Sequence, residues 1–404
     1  DALNRSHRNL KDPNLIYPVA GNIFVHIHPD HNDSRDFYAA IEPGMTTNLG
    51  EILEEVETRL VDLVHELEGV VDQDRSQLLL KSLAKVCAVG NADHNNHKNG
   101  KSKRGGRVIV SSEHMEALRY VIVRDKEGLG PLQPLILDPN IEDISCSGTG
   151  TLFVEHKVFG SLKSNISFST IVDLDAFVMR LSEKIGKPVT FRDPIVDATL
   201  PDGSRINIVF GEDLSKRGSN FTIRKFTSTP MSIIDLVQGN TLSYQAAAYL
   251  SLILGEGMNT FCAGETASGK TTLLNALTTF INPTAKIVSI EDTPELQVPH
   301  VNWTREVVRG SVKTTGGSAV TMFDLLKAAL RQRPNEIIIG EIRGEEGLIA
   351  FQAMQTGHAA MATFHAASVE KLIQRLTGSP INVPKTYIDN LNVVIIQSAV
   401  RLRD

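Results

Sequence analysis

The sequence has 404 residues, of which 41% are hydrophobic and 22% are charged, so it exceeds what one hydrophobic core usually organises and predicts two or three domains. Its net charge of -6 and pI near 6.1 disfavour a nucleic-acid-binding protein, which normally carries a basic stripe. The three cysteines are too widely separated to predict a zinc site or a disulfide framework, and no apolar run approaches the roughly 20 residues of a membrane span.

The first predicted region covers residues 1–107. Apolar alternation predicts a strand, and two stretches with helical spacing of apolar residues precede a polar, glycine-bearing linker. These elements are, in order, Ile23–Ile27, Leu49–Leu67, Gln77–Ala88 and 90–107. His94 and His97 in the linker have no acidic or cysteine companions, so a solvated loop is favoured over a metal site.

The second predicted region covers residues 108–227 and mixes helical and strand patterns, which is typical of an α+β domain. Its predicted elements are a helix, a hairpin, a second helix and two strands: Glu113–Arg124, Leu152–Phe159, Leu174–Ile185, Ile206–Phe210 and Phe221–Ile223. Residues 227–230 then form a short connection, because Pro230 restricts the residue before it.

The third predicted region covers residues 228–404, where short apolar runs alternate with helical patterns. This texture indicates an α/β fold with a parallel sheet and crossover helices. One stretch fits the phosphate-binding pattern G-x-x-x-x-G-K-[ST] without a gap and lies between an apolar strand and an amphipathic helix. Its residues are Gly264, Glu265, Thr266, Ala267, Ser268, Gly269, Lys270 and Thr271.

This loop predicts a nucleotide site. Its glycines let backbone N–H groups close around phosphate oxygens, Lys270 supplies a charge at the β and γ phosphates, and the Thr271 hydroxyl can ligate magnesium. Three later apolar strands end in Glu291, Glu341 and His365. Because the ends of parallel strands meet at the edge where such sheets bind ligands, these side chains are expected to face the loop.

Hydrolysis of a terminal phosphate needs magnesium, a positioned water and positive charge. Glu291 is predicted to activate the water, although a turn that merely contains acids would look similar. Glu341 is predicted to hold magnesium through a water, since Gly340 stands where many P-loop proteins have an aspartate. His358 and His365 are predicted to sense phosphate, with a structural histidine as the alternative for each.

In this order, the motifs resemble those of the type II/type IV secretion ATPase superfamily. The matching segments are the loop Gly264–Thr272, the Asp box 291–295, the Walker B segment 333–343 and the His box 356–366. The resemblance runs from about Gly128 to Arg401. Within the superfamily, Asn302-Trp303 and Val383–Lys385 look like the archaeal branch, which assembles and rotates the archaellum or assembles related pili.

The resemblance implies a cytoplasmic homohexamer that binds ATP and Mg²⁺ and acts peripherally on a membrane platform protein. It also implies a RecA-like ATPase domain, preceded by an α+β N-terminal domain that rocks against it about a hinge at 227–230. Arg205 and Arg224 match family arginines that reach a phosphate from the N-terminal domain. The chain lacks the four-cysteine zinc motif of bacterial pilus relatives, and its end at Asp404 predicts that the last part of the ATPase domain is missing.

Two other functions use the same loop. A RecA-like nucleic-acid translocase would need single strands to stimulate hydrolysis, and the acidic balance and low aromatic content argue against it. A nucleotide-binding scaffold would turn over negligibly. The sequence leaves open whether a motor of this kind serves an archaellum, a pilus or protein secretion, because substrate choice lies in contacts with partners.

Overall fold

The computed structural model of the protein describes residues 12–31, 33–45, 49–63, 75–90, 107–226, 230–309 and 319–400, with residues 3, 7 and 10. The chain divides into two compact units, Asp1–Phe226 and Thr227–Asp404. The predicted boundary after residue 227 lies beside this division, whereas the predicted boundary after residue 107 lies inside the first unit. Most of the predicted linker (residues 91–106, with His94 and His97) and the hinge residues 227–229 lie outside the described residues.

The first unit is built on a mixed sheet. The strands of the first unit are β1 (Leu15–Ala20), β2 (Ile23–His28), β3 (Phe37–Ile41), β4 (Cys87–Val89), β5 (Val108–Val110), β6 (Ile141–Cys146), β7 (Gly150–His156), β8 (Gly160–Phe168), β9 (Ile195–Thr199), β10 (Arg205–Val209) and β11 (Asn220–Arg224). Strands β4 and β5 form a separate two-stranded sheet. Its helices are α1 (Gly50–Val61), α2 (Arg75–Val86), α3 (Ser112–Lys126), α4 (Gln133–Leu137) and α5 (Ile171–Lys184). The nine-stranded sheet has the order β1-β2-β3-β8-β7-β6-β11-β10-β9 and is antiparallel except at β3–β8.

The sheet and three helices join the first two predicted regions. Strand β3 pairs with β8, so residues from either side of position 107 share one sheet. Helices α1, α2 and α3 bury a separate core around Val56, Leu83 and Leu118. The predicted alternation in β2 is confirmed, because Ile23, Val25 and Ile27 are buried.

Helix α2 corrects one predicted boundary. The helix was expected to reach Ala88 but ends at Val86, and Cys87–Val89 form β4, which pairs in parallel with β5. The partner Val108–Val110 consists of β-branched residues, which favour strands. Helical spacing within residues 77–88 carries no information about a partner that lies far along the chain. The predicted helix from Leu49 is described only as α1 up to Val61, and residues 64–67 lie outside the described part.

The second unit carries a six-stranded parallel sheet, which confirms the predicted α/β class. Its strands are β12 (Thr260–Gly264), β13 (Ile287–Glu291), β14 (Trp303–Val307), β15 (Glu336–Ile342), β16 (Ala359–Phe364) and β17 (Val393–Gln397). Its helices are α6 (Ile233–Gln238), α7 (Tyr244–Gly255), α8 (Lys270–Leu277), α9 (Met322–Arg331), α10 (Glu346–Gln355) and α11 (Val369–Thr377). The order is β14-β13-β15-β16-β12-β17, and every pairing is parallel.

This parallel sheet has two distinct edges. Strands β12 and β13 are buried along their whole length, as expected for a sheet covered on both faces. At the carboxyl edge the strands end and α8, α10 and α11 begin. At the amino edge the strands begin, and α7, α9 and α10 end shortly before them.

The predicted cap of α9 is confirmed. The Thr321 hydroxyl accepts a hydrogen bond from the Asp324 N–H, and the Asp324 carboxylate accepts one from the Thr321 N–H. Such reciprocal bonds satisfy N–H groups that have no partner inside the helix. Among the described residues, no helix is long and apolar enough to cross a membrane.

Candidate nucleotide-binding site

The phosphate loop leaves the buried strand β12 at Gly264, between β16 and the edge strand β17. A Cβ at Gly264 would lie 2.3 Å from the Gln397 carbonyl oxygen and 2.5 Å from Ser268 Oγ, so only glycine fits where β17 crowds the loop. Ala267 and Gly269 have positive φ of 58° and 89°. These left-handed residues reverse the chain so that α8 begins at Lys270 with its amino end toward the loop, which is the arrangement that binds anions.

Lys270 is buried and bonded into its own loop. Its Nζ donates to the Glu265 carbonyl oxygen at 2.7 Å, and Ser268 Oγ donates to the same oxygen at 2.9 Å. Burial lowers the pKa of Lys270, while the charge of Glu341 acts in the opposite direction. Because the ammonium has three N–H donors, a phosphate can bind Lys270 Nζ beside the Glu265 carbonyl oxygen or in its place. Thr271 and Thr272 follow in the first turn of α8, half-buried and exposed respectively.

Glu341 lies near the end of β15, close enough to Lys270 for the lysine charge to act on its pKa. The Arg343 guanidinium contacts its Oε2 at 2.7 Å and lies 3.9 Å from Asp292 Oδ2. Partial burial by itself raises the pKa of Glu341, but the hydrogen bond from Arg343 and the charges of Arg343, Lys270 and His365 outweigh it and lower the pKa. Glu341 is therefore held as a carboxylate beside the loop, as the prediction for magnesium requires.

Glu291 is almost fully buried at the end of β13, next to Gly340 of β15. Its Oε2 accepts the N–H groups of Glu295 and Leu296 at 2.6 and 2.8 Å, and its Oε1 accepts Arg305 Nε at 3.2 Å. Burial raises its pKa, opposed by these three bonds. The carboxylate thus anchors the turn that follows β13, a use that the predicted role in water activation did not include.

The two histidines of the His box are separated by β16. His365 follows the strand at the carboxyl edge, where its Nε2 lies 2.6 Å from Thr266 Oγ1 of the phosphate loop, and Arg375 donates to its carbonyl oxygen. His358 precedes the strand at the amino edge, where its Nδ1 lies 3.1 Å from Thr356 Oγ1. A strand of this length spans about 20 Å, so the structure does not bring His358 to this loop.

Arg205 and Arg224 belong to the first unit, where they are directly opposite each other on β10 and β11. Both side chains are exposed. Arg224 also pairs in register with Asp143 of β6; burial raises the pKa of that carboxyl, and Arg224 opposes the rise. Paired on one face, the two arginines form a patch of positive charge, and contact between this patch and a phosphate stays a prediction.

Two residues of the site were missed by the sequence interpretation. Arg305, which binds Glu291, lies with its guanidinium carbon 5.4 Å from the centre of the Trp303 ring, and Trp303 Nε1 donates to Ser289 Oγ at 2.8 Å. The alternation Trp303-Thr304-Arg305, which lies in the unpredicted strand β14, was the available signal. Gln397 limits the loop through pairing of β17 with β12, and no local pattern indicates that pairing.

Three comparisons relate the chain to known proteins. A family model described as "Type II/IV secretion system protein" matches residues 125–403. The uncharacterized protein MJ0900 of Methanocaldococcus jannaschii is 44% identical over 413 residues, which cover 100% of this chain and 73% of that protein. The type IV secretion system protein PtlH of Bordetella pertussis is 29% identical over 62% of this chain and 79% of its own. The solved VirB11 ATPase of the Brucella suis type IV secretion system is 25% identical, covers 64% of this chain and 84% of its own, and has a TM-score of 0.30.

Proposed function

Since the chain belongs to the type II/IV secretion system protein family, we propose that it is a mechanochemical ATPase that powers a filament or secretion machine at the cytoplasmic face of a membrane. The observation that carries the proposal is the convergence at one sheet edge of the loop lysine Lys270, the ionised Glu341 and the pair Thr266–His365. An ionised carboxylate, a loop lysine and a histidine at one edge are the kinds of group that phosphate hydrolysis needs around magnesium and the attacking water.

ATP and Mg²⁺ fit the residues at this edge. Thr271 and Glu341 offer the hard oxygen ligands that Mg²⁺ prefers, and this ion commonly takes only one or two protein ligands besides water and phosphate oxygens. Accordingly, the described residues include no cluster of three or more His, Cys, Asp or Glu side chains that could hold a metal by themselves. When bound, Mg²⁺ neutralises charge on the β and γ phosphates.

Each residue of the edge then has a distinct task. Lys270 donates to a phosphate oxygen, and the loop N–H groups bind the remaining oxygens. Glu341 orients the attacking water or a water on magnesium, because its carboxylate stays ionised. His365, held by Thr266, donates to the terminal phosphate and reports its loss. Glu291 fixes the turn after β13 through its three N–H partners, and its part in activating the water stays a prediction, because burial raises its pKa despite these bonds.

The motor part of the proposal concerns partners. We propose a homohexamer, peripheral on the cytoplasmic side of the membrane, in which Arg205 and Arg224 reach a nucleotide phosphate and residues 227–230 act as the hinge. The first choice is an archaellum or pilus motor, which rests on the archaeal-branch resemblance of Asn302-Trp303 and Val383–Lys385. The similarity to PtlH supports protein secretion as the second.

Phosphate release from ATP tests the enzymatic claim. The purified chain is expected to hydrolyse ATP with Mg²⁺, and Lys270→Ala should lower the rate by about a hundredfold or more. Lys327→Ala is the matched control, since that lysine is exposed on α9 over the Phe323 ring. Equal rates for the wild type and Lys270→Ala would sink the ATPase proposal. Stimulation by single-stranded DNA would favour a translocase.

Recovery of partners tests the cellular role separately. The tagged protein is immobilised and exposed to detergent-solubilised native membranes, and captured proteins are identified. Recovery of an archaellum platform protein supports the first choice. Recovery of secretion components alone supports the second, and recovery of neither platform would contradict the motor role.

A further inference from the structure

A second pocket lies at the amino edge of the parallel sheet, opposite the phosphate loop. It has a volume of about 280 Å³ and is lined where four connections enter the sheet. These connections lead from α7 to β12, from α8 to β13, from α9 to β15 and from α10 to β16. Each contributes lining residues, among them Gly255, Asn282, Glu336 and Gly357.

Glu336 is the unusual member of this lining. It opens β15 with 3% of its surface exposed, and its Oε1 has no hydrogen-bond partner in the part of the chain that the structure describes. Burial raises the pKa of Glu336 to about 8, with no charged neighbour contributing. No cation of the described residues forms an ion pair with it: the nearby Lys286 turns its Nζ to the Gln332 carbonyl oxygen at 2.6 Å. Buried carboxylates are normally bonded, so an incompletely bonded carboxylate in the lining of a pocket points to a ligand.

The groups around Glu336 include several that carry partial or full negative charge. The carboxyl ends of α7 and α10 reach the pocket at Gly255 and Gly357, and the carboxyl end of a helix carries partial negative charge. Glu256, an exposed residue, adds a carboxylate to the lining. Two histidines flank the lining. His300 Nε2 lies 3.2 and 3.1 Å from the carbonyl oxygens of the lining residues Ile281 and Asn282, and His358 lies between Gly357 and Ala359 with its Nδ1 facing the Thr356 hydroxyl. Negative dipole ends and two carboxylates together favour a positively charged occupant.

We propose that this pocket binds a cationic nitrogen group, an alkylammonium or a guanidinium, with the Glu336 carboxylate as its buried acceptor. The group belongs either to a lysine or arginine side chain of another polypeptide or to a free small ion. A tightly held metal ion fits less well, because the described residues provide no set of three His, Cys, Asp or Glu ligands. The site lies outside the nucleotide edge and goes beyond the proposed ATPase function.

Calorimetric titration with methylguanidinium chloride and with butylammonium chloride tests the site, with sodium chloride as the ionic control. Wild-type protein is expected to bind at least one of the two and to release up to about one proton per ligand near pH 7. Glu336→Gln, which keeps the side-chain shape, should weaken binding by about tenfold or more and abolish the proton release. Glu256→Gln, at an exposed position, should weaken binding by less than about threefold.

The wild type also provides a test that needs no variant. Because a cation prefers the ionised carboxylate, affinity should rise as pH increases from 6 to about 8 and then level off. Absence of binding to both probes, or equal binding by Glu336→Gln, would overturn the proposal. Tighter binding of acetyl-Gly-Arg-Gly-amide than of methylguanidinium supports a side chain as the source, and weaker binding of the peptide supports a free ion.

Discussion

The two edges of the parallel sheet in the second unit place their acids in opposite situations. At the carboxyl edge Glu291 accepts two backbone N–H groups and Arg305, and Glu341 is paired with Arg343. At the amino edge Glu336 is about as deeply buried as Glu291, yet its Oε1 has no hydrogen-bond partner among the described residues. Helices begin at the first edge and end at the second, so their dipoles favour anions at one and cations at the other.

This difference shows how one architecture yields two kinds of site. A parallel sheet with crossover helices must collect helix amino ends on one side and carboxyl ends on the other. The phosphate loop lies at the edge with the helix amino ends, where Lys270 and backbone N–H groups are the available donors. The Glu336 pocket has the opposite polarity. Substitutions at matched positions on the two edges therefore test whether the contrast holds.

The largest expected effect compares two glycines. Gly264→Ala at the carboxyl edge should cost about 3 kcal/mol of unfolding free energy, because its Cβ would meet the Gln397 carbonyl oxygen at 2.3 Å. Gly357→Ala at the amino edge should cost only about 1 kcal/mol, since its positive φ is strained but the space is open. Urea denaturation measures both, and equal losses would mean that β17 does not confine the loop.

Glu291→Ala separates anchoring from proton transfer. Removing the carboxylate leaves Arg305 and the N–H groups of Glu295 and Leu296 without their buried acceptor, so unfolding free energy should fall by about 3 kcal/mol. Asp292→Ala is the control, because its 3.9 Å ion pair with Arg343 is exposed and should contribute less than about 1 kcal/mol. Full stability with lost turnover would support Glu291 as a water-activating base.

Glu336→Gln tests the amino edge through pH. The pKa of Glu336 is raised in the folded state, so its proton stabilises the fold below the unfolded pKa, and this contribution disappears as pH rises through about 8. Glutamine does not titrate, so the free energy of unfolding of the variant does not fall in this way. Relative to the wild type it should gain on the order of 2 kcal/mol between pH 6 and pH 9, measured by denaturation at both pH values. An unchanged difference between the two would show that Glu336 has an ordinary pKa.

Thr266→Val should have the smallest effect. Loss of the hydroxyl removes the 2.6 Å contact with His365 Nε2, which is worth about 1 kcal/mol or roughly fivefold in turnover. The loss should fall on kcat rather than KM if His365 acts on the terminal phosphate, and Thr266→Ser should restore it. A valine variant with wild-type kcat would remove His365 from the proposal.

The sequence predicted features that depend on local spacing. The loop Gly264–Thr271, the acidic ends of β13 and β15 and the cap at Thr321 each follow from neighbouring residues, and the structure contains them. The placement of His358 could have been read from the same pattern, because residues on either side of a strand reach opposite edges of a parallel sheet.

Other features depend on distant partners or on turn geometry. Pairing of β4 with β5 and of β17 with β12 joins segments that no local periodicity links. The bonds from Glu291 to two N–H groups depend on the path of residues 292–296. Whether a buried acid such as Glu336 finds a partner depends on every side chain that surrounds it, so sequence spacing alone could not distinguish Glu336 from Glu341.

The carboxyl edge is proposed to hydrolyse ATP, with a direct part for Glu341. The most direct measurement is phosphate release by Glu341→Gln, with ATP binding determined on the same preparation. Binding should persist, because the loop and Lys270 remain, while the hydrolysis rate should fall by about a hundredfold or more. Hydrolysis by Glu341→Gln at the wild-type rate would contradict a direct role of Glu341 in ATP hydrolysis.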